Sequence, residues 1–415
     1  MMFDKPIAIS LAPNQDKDDV IQTIKIILKP QFWIKGDSVK KIEDWFKEYF
    51  HVNTAVSFNS GRSALYAILK SLNIGFGDEV IVQAFSCVAV ANSVIWSGAK
   101  PVYVDSDQNL NISTNLLEQH ITYNTKAIIV QHTFGIPADI ILIKKIAHKY
   151  NLILIEDCAH SLGATFQDRK IGTFGDFTFF SFGRDKVISS VFGGLAIVNN
   201  SNNNYGKKLE EFRRGLPFPS HKWVLQQLIH PLAFSIILPL YNLGIGKLLL
   251  IILQKLLLLS FPVMDIEKRA LRPSFIPQNY PNALAGILLC QISKLDKFNN
   301  HRREMANYYR NNLSSVKNVK LPDDRDGAIY LRYNILTPYA DKILSAAKSR
   351  GIILGNWYRN IIDPAGVNFA SIHFRSNLFP VAQKSAQQSL NLPTYPRTTY
   401  TDADRIINLI KKYAD

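Results

Sequence analysis

Lys186 stands five residues beyond the end of an apolar, β-rich run, in the stretch FFSFGRDKVISSVFGGLAIV (179–198), and paired glycines lead into a second such run. An amine held at a strand end can form a Schiff base with an aldehyde. In LILIEDCAH (152–160), Asp157 follows directly on another apolar run and His160 comes three residues later. A carboxylate at the buried end of a central strand is costly unless it meets a cation, and a protonated heterocycle nitrogen is one such cation. In SGRSAL (60–65), a small-residue turn opens a helix. Free backbone N–H groups and the positive end of the helix dipole there suit a phosphate, with a hydroxyl from Ser63 and a charge from Arg62 in support. Taken singly, each feature has a plainer reading: a solvated surface lysine, an aspartate capping the next helix, an ordinary N-cap. Taken in the order glycine turn, aspartate, lysine, they suit pyridoxal phosphate. The lysine would hold the aldehyde and the aspartate would keep the pyridine nitrogen protonated, so that the ring becomes an electron sink.

These residues need a scaffold, and the chain between residues 54 and 200 supplies an alternating one. Short apolar runs occur at EVIVQ (79–83), PVYV (101–104), AIIVQ (127–131), LILIE (152–156), FTFFS (177–181) and LAIV (195–198). Helical stretches lie between several of them. Leu65, Ile68, Leu69 and Leu72 fall at i, i+3, i+4 and i+7, and ADIILIKKIAHKYN has the same character. Fully apolar strands separated by helices predict an α/β fold with a mostly parallel sheet covered on both faces, and ligands then sit at the carboxyl ends of the strands. Beyond residue 280 a long amphipathic helical pattern (NALAGILLCQISKLDKFNNHRREMANYYRNNL) leads into a smaller mixed unit. That unit has a strand-like IYLRYNIL (329–336) and helices at KILSAAKSRG and DADRIINLIKKY.

The pattern breaks near residue 215. From 221 to 264 the chain is at its most apolar, and no acidic residue occurs between Glu211 and Asp265, whereas Lys222, Lys247 and Lys255 do. The longest uncharged run after His230, Pro231 to Gly246, contains Pro239 and two glycines and is short of the ~20 apolar residues that a spanning helix needs. Three expectations follow for this segment: a helix buried in a dimer interface, an extra core layer, or a hairpin resting in a membrane interface. We divide the chain into a large domain (1–222), this apolar, basic insertion (223–272) and a small C-terminal domain with its linking helix (273–415).

Bulk properties limit the function classes. The 415 residues are 47% hydrophobic and 20% charged, which suits a globular chain of two domains rather than disorder. Three scattered cysteines make neither a disulfide frame nor a CxxC metal site, so a reducing, cytoplasmic setting is expected and no metal. The N-terminal MMFDKPIAISLAPNQDKDD lacks the basic start and apolar core of a secretory signal. A net charge of +15 suits phosphorylated substrates or an anionic membrane surface; the basic residues are dispersed, and no nucleic-acid-binding signature is present. No G-x-G-x-x-G follows a strand, which disfavours a dinucleotide-binding reductase.

Over most of its length the sequence resembles the DegT/StrS-type nucleotide-sugar aminotransferases, which are fold type I pyridoxal-phosphate enzymes. The most specific block is LIEDCAHSLGATFQDRKIGTFGDFTFFSFGRDKVISSVFGGLAIV (154–198). AVSFNSGRSALYAILKSLNIGFGDEVIV (55–82), ANSVIWSGAKPVYVDSD (91–107), TKAIIVQHTFGIPADI (125–140), QISKLDKFNNHRREMANYY (291–309) and PVAQKSAQQSLNLPTYP (380–396) support it. The resemblance implies that Lys186 is the Schiff-base lysine and proton shuttle, and that Asp157 partners the pyridine nitrogen. It places His160 beside the ring and its phenolate oxygen, Ser181 on the phosphate, and Gly61, Arg62 and Ser63 in the phosphate turn. A sister group with histidine in place of the lysine performs dehydration, so Lys186 implies transamination. The chain departs from the family at Arg62, where many relatives have Thr, and at Cys87, where an aromatic ring often covers the cofactor. It departs again at PQNYPNALA (277–285), in place of a segment that reaches the neighbouring subunit, and at the apolar insertion. LGNWYRN (354–360) and HFRSNLFP (373–380) are expected near the substrate by analogy.

The resemblance implies transfer of an amino group from an amino acid, with L-glutamate expected, to the keto sugar of a nucleotide sugar for glycan or cell-surface polysaccharide synthesis. It also implies a homodimer with sites at the subunit interface. The insertion adds the expectation of peripheral contact with the inner face of a membrane through 223–264. Alternative readings are a related enzyme acting on a lipid-linked sugar, or a non-catalytic, membrane-associated regulator that binds the cofactor or a sugar nucleotide.

Overall fold

The computed structural model describes residues 6–200 and 203–414; the first five residues of the N-terminal stretch considered above, and Asp415, lie outside it. Seven strands form the central sheet: β1 (Thr54–Phe58), β2 (Glu79–Gln83), β3 (Lys100–Val104), β4 (Thr125–Gln131), β5 (Ile153–Asp157), β6 (Phe177–Ser181) and β7 (Gly194–Val198). Their order is β1-β7-β6-β5-β4-β2-β3. Only β7 runs against the others, pairing antiparallel with both β6 and β1. The strands are continuous apolar runs because helices cover both faces. Leu154 of β5 enters the core on one face and Ile155 the core on the other; Phe180 and Phe179 of β6 divide in the same way.

Helices α1 (Lys17–Ile27), α2 (Ser38–Phe50), α3 (Gly61–Ser71), α4 (Val88–Ser97) and α5 (Ile140–Lys149) precede β6 or connect its neighbours. The 3.6-residue spacing in α3 does what it predicts: Leu65, Ile68 and Leu69 are buried, and Leu72 forms the C-cap. After β7 come α6 (Asn203–Arg214), α7 (His221–Ile237), α8 (Ile245–Lys255), α9 (Asn282–Ile292) and α10 (Leu295–Leu313). The long amphipathic pattern after residue 280 is thus two helices, broken at Ser293 and Lys294. Leu295 of α10 belongs to a core beside the large sheet, while Met305, Tyr309 and Leu313 belong to the core of the smaller unit, so this helix ties the two together.

The smaller unit is built on β8 (Tyr333–Leu336) and β9 (Ser389–Leu392), an antiparallel pair, with α11 (Ala340–Lys348) and α12 (Tyr400–Ala414) packed on it. The strand predicted over 329–336 is halved: Tyr330 lies in the left-handed region, and its carbonyl and that of Leu331 accept from Thr394 Oγ1 instead of a ladder partner. Ile7–Ala8 pairs with Ile352–Ile353, and Ile7 joins this second core, so the start of the described chain packs with the C-terminal unit.

The apolar segment divides its roles. Val224 and Leu228 of α7 enter the core beside the large sheet, and Phe234 and Ile237 form a small cluster with Ala12 and Leu259. Leu249, Leu250 and Leu253 of α8 pack on that cluster, but Ile245, Leu248, Ile251 and Ile252 are exposed. Leu257, in the left-handed region, follows the end of α8, so the apolar run KLLLIILQKLLLL (247–259) is helical only as far as Lys255. Among the described residues no helix is long and apolar enough to cross a membrane.

Candidate active site

The carboxyl ends of β1, β5 and β6 lie beside the start of β7, and the close approach there has a steric cause. In the register, Gly194 faces both Ser181 and Phe58. A Cβ on Gly194 would overlap the Ser60 carbonyl carbon and the Gly61 nitrogen, and a Cβ on Gly61 would lie 2.8 Å from Ser181 Cβ. Two glycines therefore let the first turn of α3 press against the end of β6. Ser60 is the N-cap, its Oγ accepting from the Ser63 N–H, which leaves the first two N–H groups of α3, those of Gly61 and Arg62, without intrahelical acceptors. Ser181 Oγ takes no hydrogen bond among the described residues and lines the same cavity, of about 150 Å³.

Lys186 projects into this cavity from the loop after β6. Asn14 Nδ2 donates to the Lys186 carbonyl at 2.6 Å, and the wholly buried Arg302 donates to the Val187 carbonyl at 2.7 Å and to Asn14 Oδ1 at 2.9 Å. The loop that carries the lysine is thus held by α10 and the N-terminal strap. Lys186 Nζ lies 2.9 Å from His160 Nε2 and 4.9 Å from the Trp357 ring centre.

The state of this pair can be derived. The Phe134 N–H donates to His160 Nδ1 at 3.3 Å, so Nδ1 carries no proton and Nε2 does. The Nε2–H then faces the lysine nitrogen at 2.9 Å, which favours the neutral amine, with Tyr358 Oη at 3.4 Å as its other acceptor. Electrostatics agree: burial first, with the Arg332 guanidinium in the same sense, holds Lys186 below its ordinary range, while Asp185, Cys87 and Asp157 oppose. Burial, Lys186 and Arg332 together push His160 well down, keeping the imidazole neutral. Phe134 aims its N–H from the left-handed region (φ 54°), a conformation held by the turn that ends in Gly135. A neutral amine is the nucleophilic form of lysine.

Asp157 is 4% exposed and accepts a single hydrogen bond among the described residues, from the Ala159 N–H at 2.9 Å. Burial pushes its pKa up to about 6 against the weaker pull of that N–H, Lys186 and His132. A buried carboxyl with no ion-pair partner among the described residues, lining the cavity beside a lysine held below its ordinary range, is a place prepared for a cationic group.

The structure brings Lys186, Asp157, His160, Ser181, Gly61, Arg62 and Cys87 to one cavity. Ser63 is the exception. Its hydroxyl turns inward, donating to Asn59 Oδ1 at 2.6 Å and lying 2.9 Å from Ser60 Oγ, because the third residue of a capped helix points back at its cap. The guanidinium of Arg62 is also committed: it pairs with the buried Glu267 and donates to the Pro262 carbonyl at 3.0 Å. Burial pushes the Cys87 thiol up to about 11, so it stays protonated and acts as a small apolar wall.

Other wall residues were not assigned roles from sequence. Trp357 stacks between His160, at 5.5 Å, and Arg332, whose Cζ is 3.4 Å from the indole centre and whose Nη2 reaches Asp185 Oδ2 at 3.0 Å. Its segment is docked because Ile362–Asp363 pairs with Ser86–Cys87. Pro262 and Val263 come from the apolar insertion. Only the aromatic pair in LGNWYRN carried any sequence signal; Arg332, Pro262 and Glu267 are far away in the chain. A nearby buried cluster, His132, Glu156 and Cys158, has ligand spacing but no free lone pairs to match. His132 Nδ1 accepts from Ala138, Glu156 accepts from Gly172, Phe174, Gly175 and His132, and the Cys158 thiol is held protonated by burial.

A family profile described as the DegT/DnrJ/EryC1/StrS aminotransferase family matches residues 14–214 and 278–411, and the chain belongs to this family. It is a pyridoxal-phosphate-dependent aminotransferase with the fold of that class. The unmatched gap contains the apolar insertion. The chain is 29% identical over 375 residues to a GDP-perosamine synthase of Escherichia coli O157:H7, covering 88% of this chain and 87% of that one. It is 28% identical over 401 residues to a UDP-N-acetyl-3-dehydro-alpha-D-glucosamine 3-aminotransferase of Acidithiobacillus ferrooxidans, covering 95% and 94%. The solved structure of PseC, an aminotransferase of pseudaminic acid biosynthesis from Helicobacter pylori, is similar with a TM-score of 0.76 at 21% identity, covering 99% of each chain.

Proposed function

We propose that this chain transfers an amino group from L-glutamate to the keto carbon of a sugar carried on a nucleoside diphosphate, for glycan or cell-surface polysaccharide synthesis. The observation that carries the reading is the closely placed Lys186–His160 pair beside Asp157, facing the open start of α3. When bound, pyridoxal phosphate supplies an aldehyde for the lysine and an electron sink for the carbanion at the donor's Cα. The residues fit it. The free N–H groups of Gly61 and Arg62 and the hydroxyl of Ser181 would take the phosphate, and Asp157 would take the ring nitrogen and hold its proton. Lys186 would anchor the carbonyl carbon and then carry the proton between Cα and C4′, with the His160 Nε2–H directed at its nitrogen. Cys87 would pack the ring face. Ser63 serves by buttressing the turn, and Arg62 adds a guanidinium already neutralised by Glu267.

The similarity to two enzymes named for GDP- and UDP-linked sugars, and the net charge of +15, support a nucleotide-sugar acceptor. As the family resemblance implies, the protein would act as a homodimer, and its three scattered cysteines suit the cytoplasm. Its apolar, acid-free 223–264 segment would bring it to a membrane surface. A visible absorption band that borohydride fixes onto Lys186, as mapped by mass spectrometry, and that L-glutamate bleaches, tests the chemistry. Formation of an aminosugar nucleotide from a keto nucleotide sugar tests the acceptor. A protein that stays colourless with added pyridoxal phosphate sinks the proposal.

A further inference from the structure

α8 is apolar on two sides. Its inner side packs on the Phe234 and Ile237 cluster, whereas its outer stripe of Ile245, Leu248 and Ile252 is 43–60% exposed. The stripe continues into Leu256, Leu257 and Phe261, which are 47–70% exposed. A surface helix normally turns a polar face to water, so such an outer face is built to be covered. The charges around it say by what. Lys255 lies within the stripe, three residues beyond Ile252, and Lys247 flanks it with its Nζ 5.3 Å from the Tyr241 ring. Residues 212–264 contain no acid. A second copy of this face would set lysines against lysines with no carboxylate to pair them, and lysine is disfavoured in protein interfaces. An anionic headgroup layer, by contrast, accepts apolar side chains below and lysine ammonium groups at its own level.

We propose that this outer face of α8 and the turn after it seat in the surface of an anionic phospholipid bilayer, with Lys247 and Lys255 at the headgroups. The proposal rests on the membrane reading of the 223–264 segment and not on the identity of the sugar. It has a functional consequence, because the docked chain runs directly into the site: Ser260 accepts from Arg184, and Pro262 and Val263 form part of the cavity wall that holds Lys186. The enzyme therefore works at the bilayer surface, with the cofactor cavity a few residues from the lipid.

The test is co-sedimentation of the full-length holoprotein with vesicles of phosphatidylcholine alone or mixed with phosphatidylglycerol, with light scattering in parallel. The wild type is expected to pellet with the anionic vesicles and release in high salt. L248E/L257E changes two exposed side chains and should keep the fold by circular dichroism while losing on the order of 100-fold or more in partitioning. K247Q/K255Q should lose on the order of tenfold on anionic vesicles only. A wild type that ignores both vesicles overturns this proposal and the membrane reading together. A wild type that binds while L248E/L257E binds equally well overturns the α8 face alone. A wild type that ignores vesicles but dissociates on L248E/L257E substitution assigns the face to a second copy.

Discussion

Asp157→Asn is expected to stabilise the empty protein and to weaken the loaded one. The Asp157 carboxyl titrates near 6 in the folded chain, with 3.8 as its ordinary value, and burial is the main cause. The folded state therefore holds this proton more tightly than the unfolded state. Stability is lost as pH rises through that interval, and above about pH 7 the ionised carboxylate costs about 3 kcal/mol. Asparagine removes that cost, which is already net of the pull of the Ala159 N–H, and like the protonated carboxyl it makes an uncharged bond there. The apo variant should therefore exceed the apo wild type by about 3 kcal/mol at pH 8, and the gap should close toward pH 4. Urea unfolding followed by tryptophan fluorescence reads the difference, and comparing two variants at each pH cancels every other titrating group. Saturating pyridoxal phosphate at pH 8 should reverse the order, because only the carboxylate gains from a protonated ring nitrogen. A variant less stable than wild type at pH 8 without cofactor, with a gap that does not change with pH, would refute the reasoning. It would mean that Asp157 is already paired and that no place for a cation exists.

Lys186→Ala should bind pyridoxal phosphate without covalent attachment, losing borohydride-fixable mass at position 186 and transaminase activity by at least about 1000-fold. Gly194→Ala should place a methyl group in the Ser60–Gly61 backbone and cost at least about 2 kcal/mol, seen as a lowered urea midpoint and weakened phosphate binding. Arg302→Leu removes the donor to Val187 and Asn14 behind the lysine loop, and should destabilise the chain by about 3 kcal/mol or more. His160→Leu leaves the Lys186 amine without its Nε2–H donor. The rate at which the apoprotein captures pyridoxal phosphate at pH 7 should fall about tenfold or more, recovering in part at higher pH as the free ammonium gives up its proton.

Much of the scaffold was legible because buried parallel strands must be apolar throughout. EVIVQ and FTFFS are strands with the bounds read from the sequence, and LAIV and LILIE are off by a single residue. The failures were local. IYLRYNIL is β-rich over its full length, yet Thr394 takes the carbonyls of Tyr330 and Leu331, so the strand begins only at Tyr333.

The site follows the same division. The sequence by itself determined the chemistry-bearing types and their order, since an apolar strand that ends in Asp157, another that ends near Lys186 and a glycine turn at Gly61 can meet only at the carboxyl edge of one sheet. What each group does there was left to the tertiary structure. Ser63 and Arg62 look equally available in SGRSAL, but capping geometry turns one inward, and Glu267, remote in sequence, neutralises the other. The lowered pKa of Lys186 depends first on its burial, and a backbone N–H at Phe134 sets the tautomer of the His160 beside it. Protonation and ion pairing depend on distance and desolvation, and these exist only once segments far apart in the chain have been packed together.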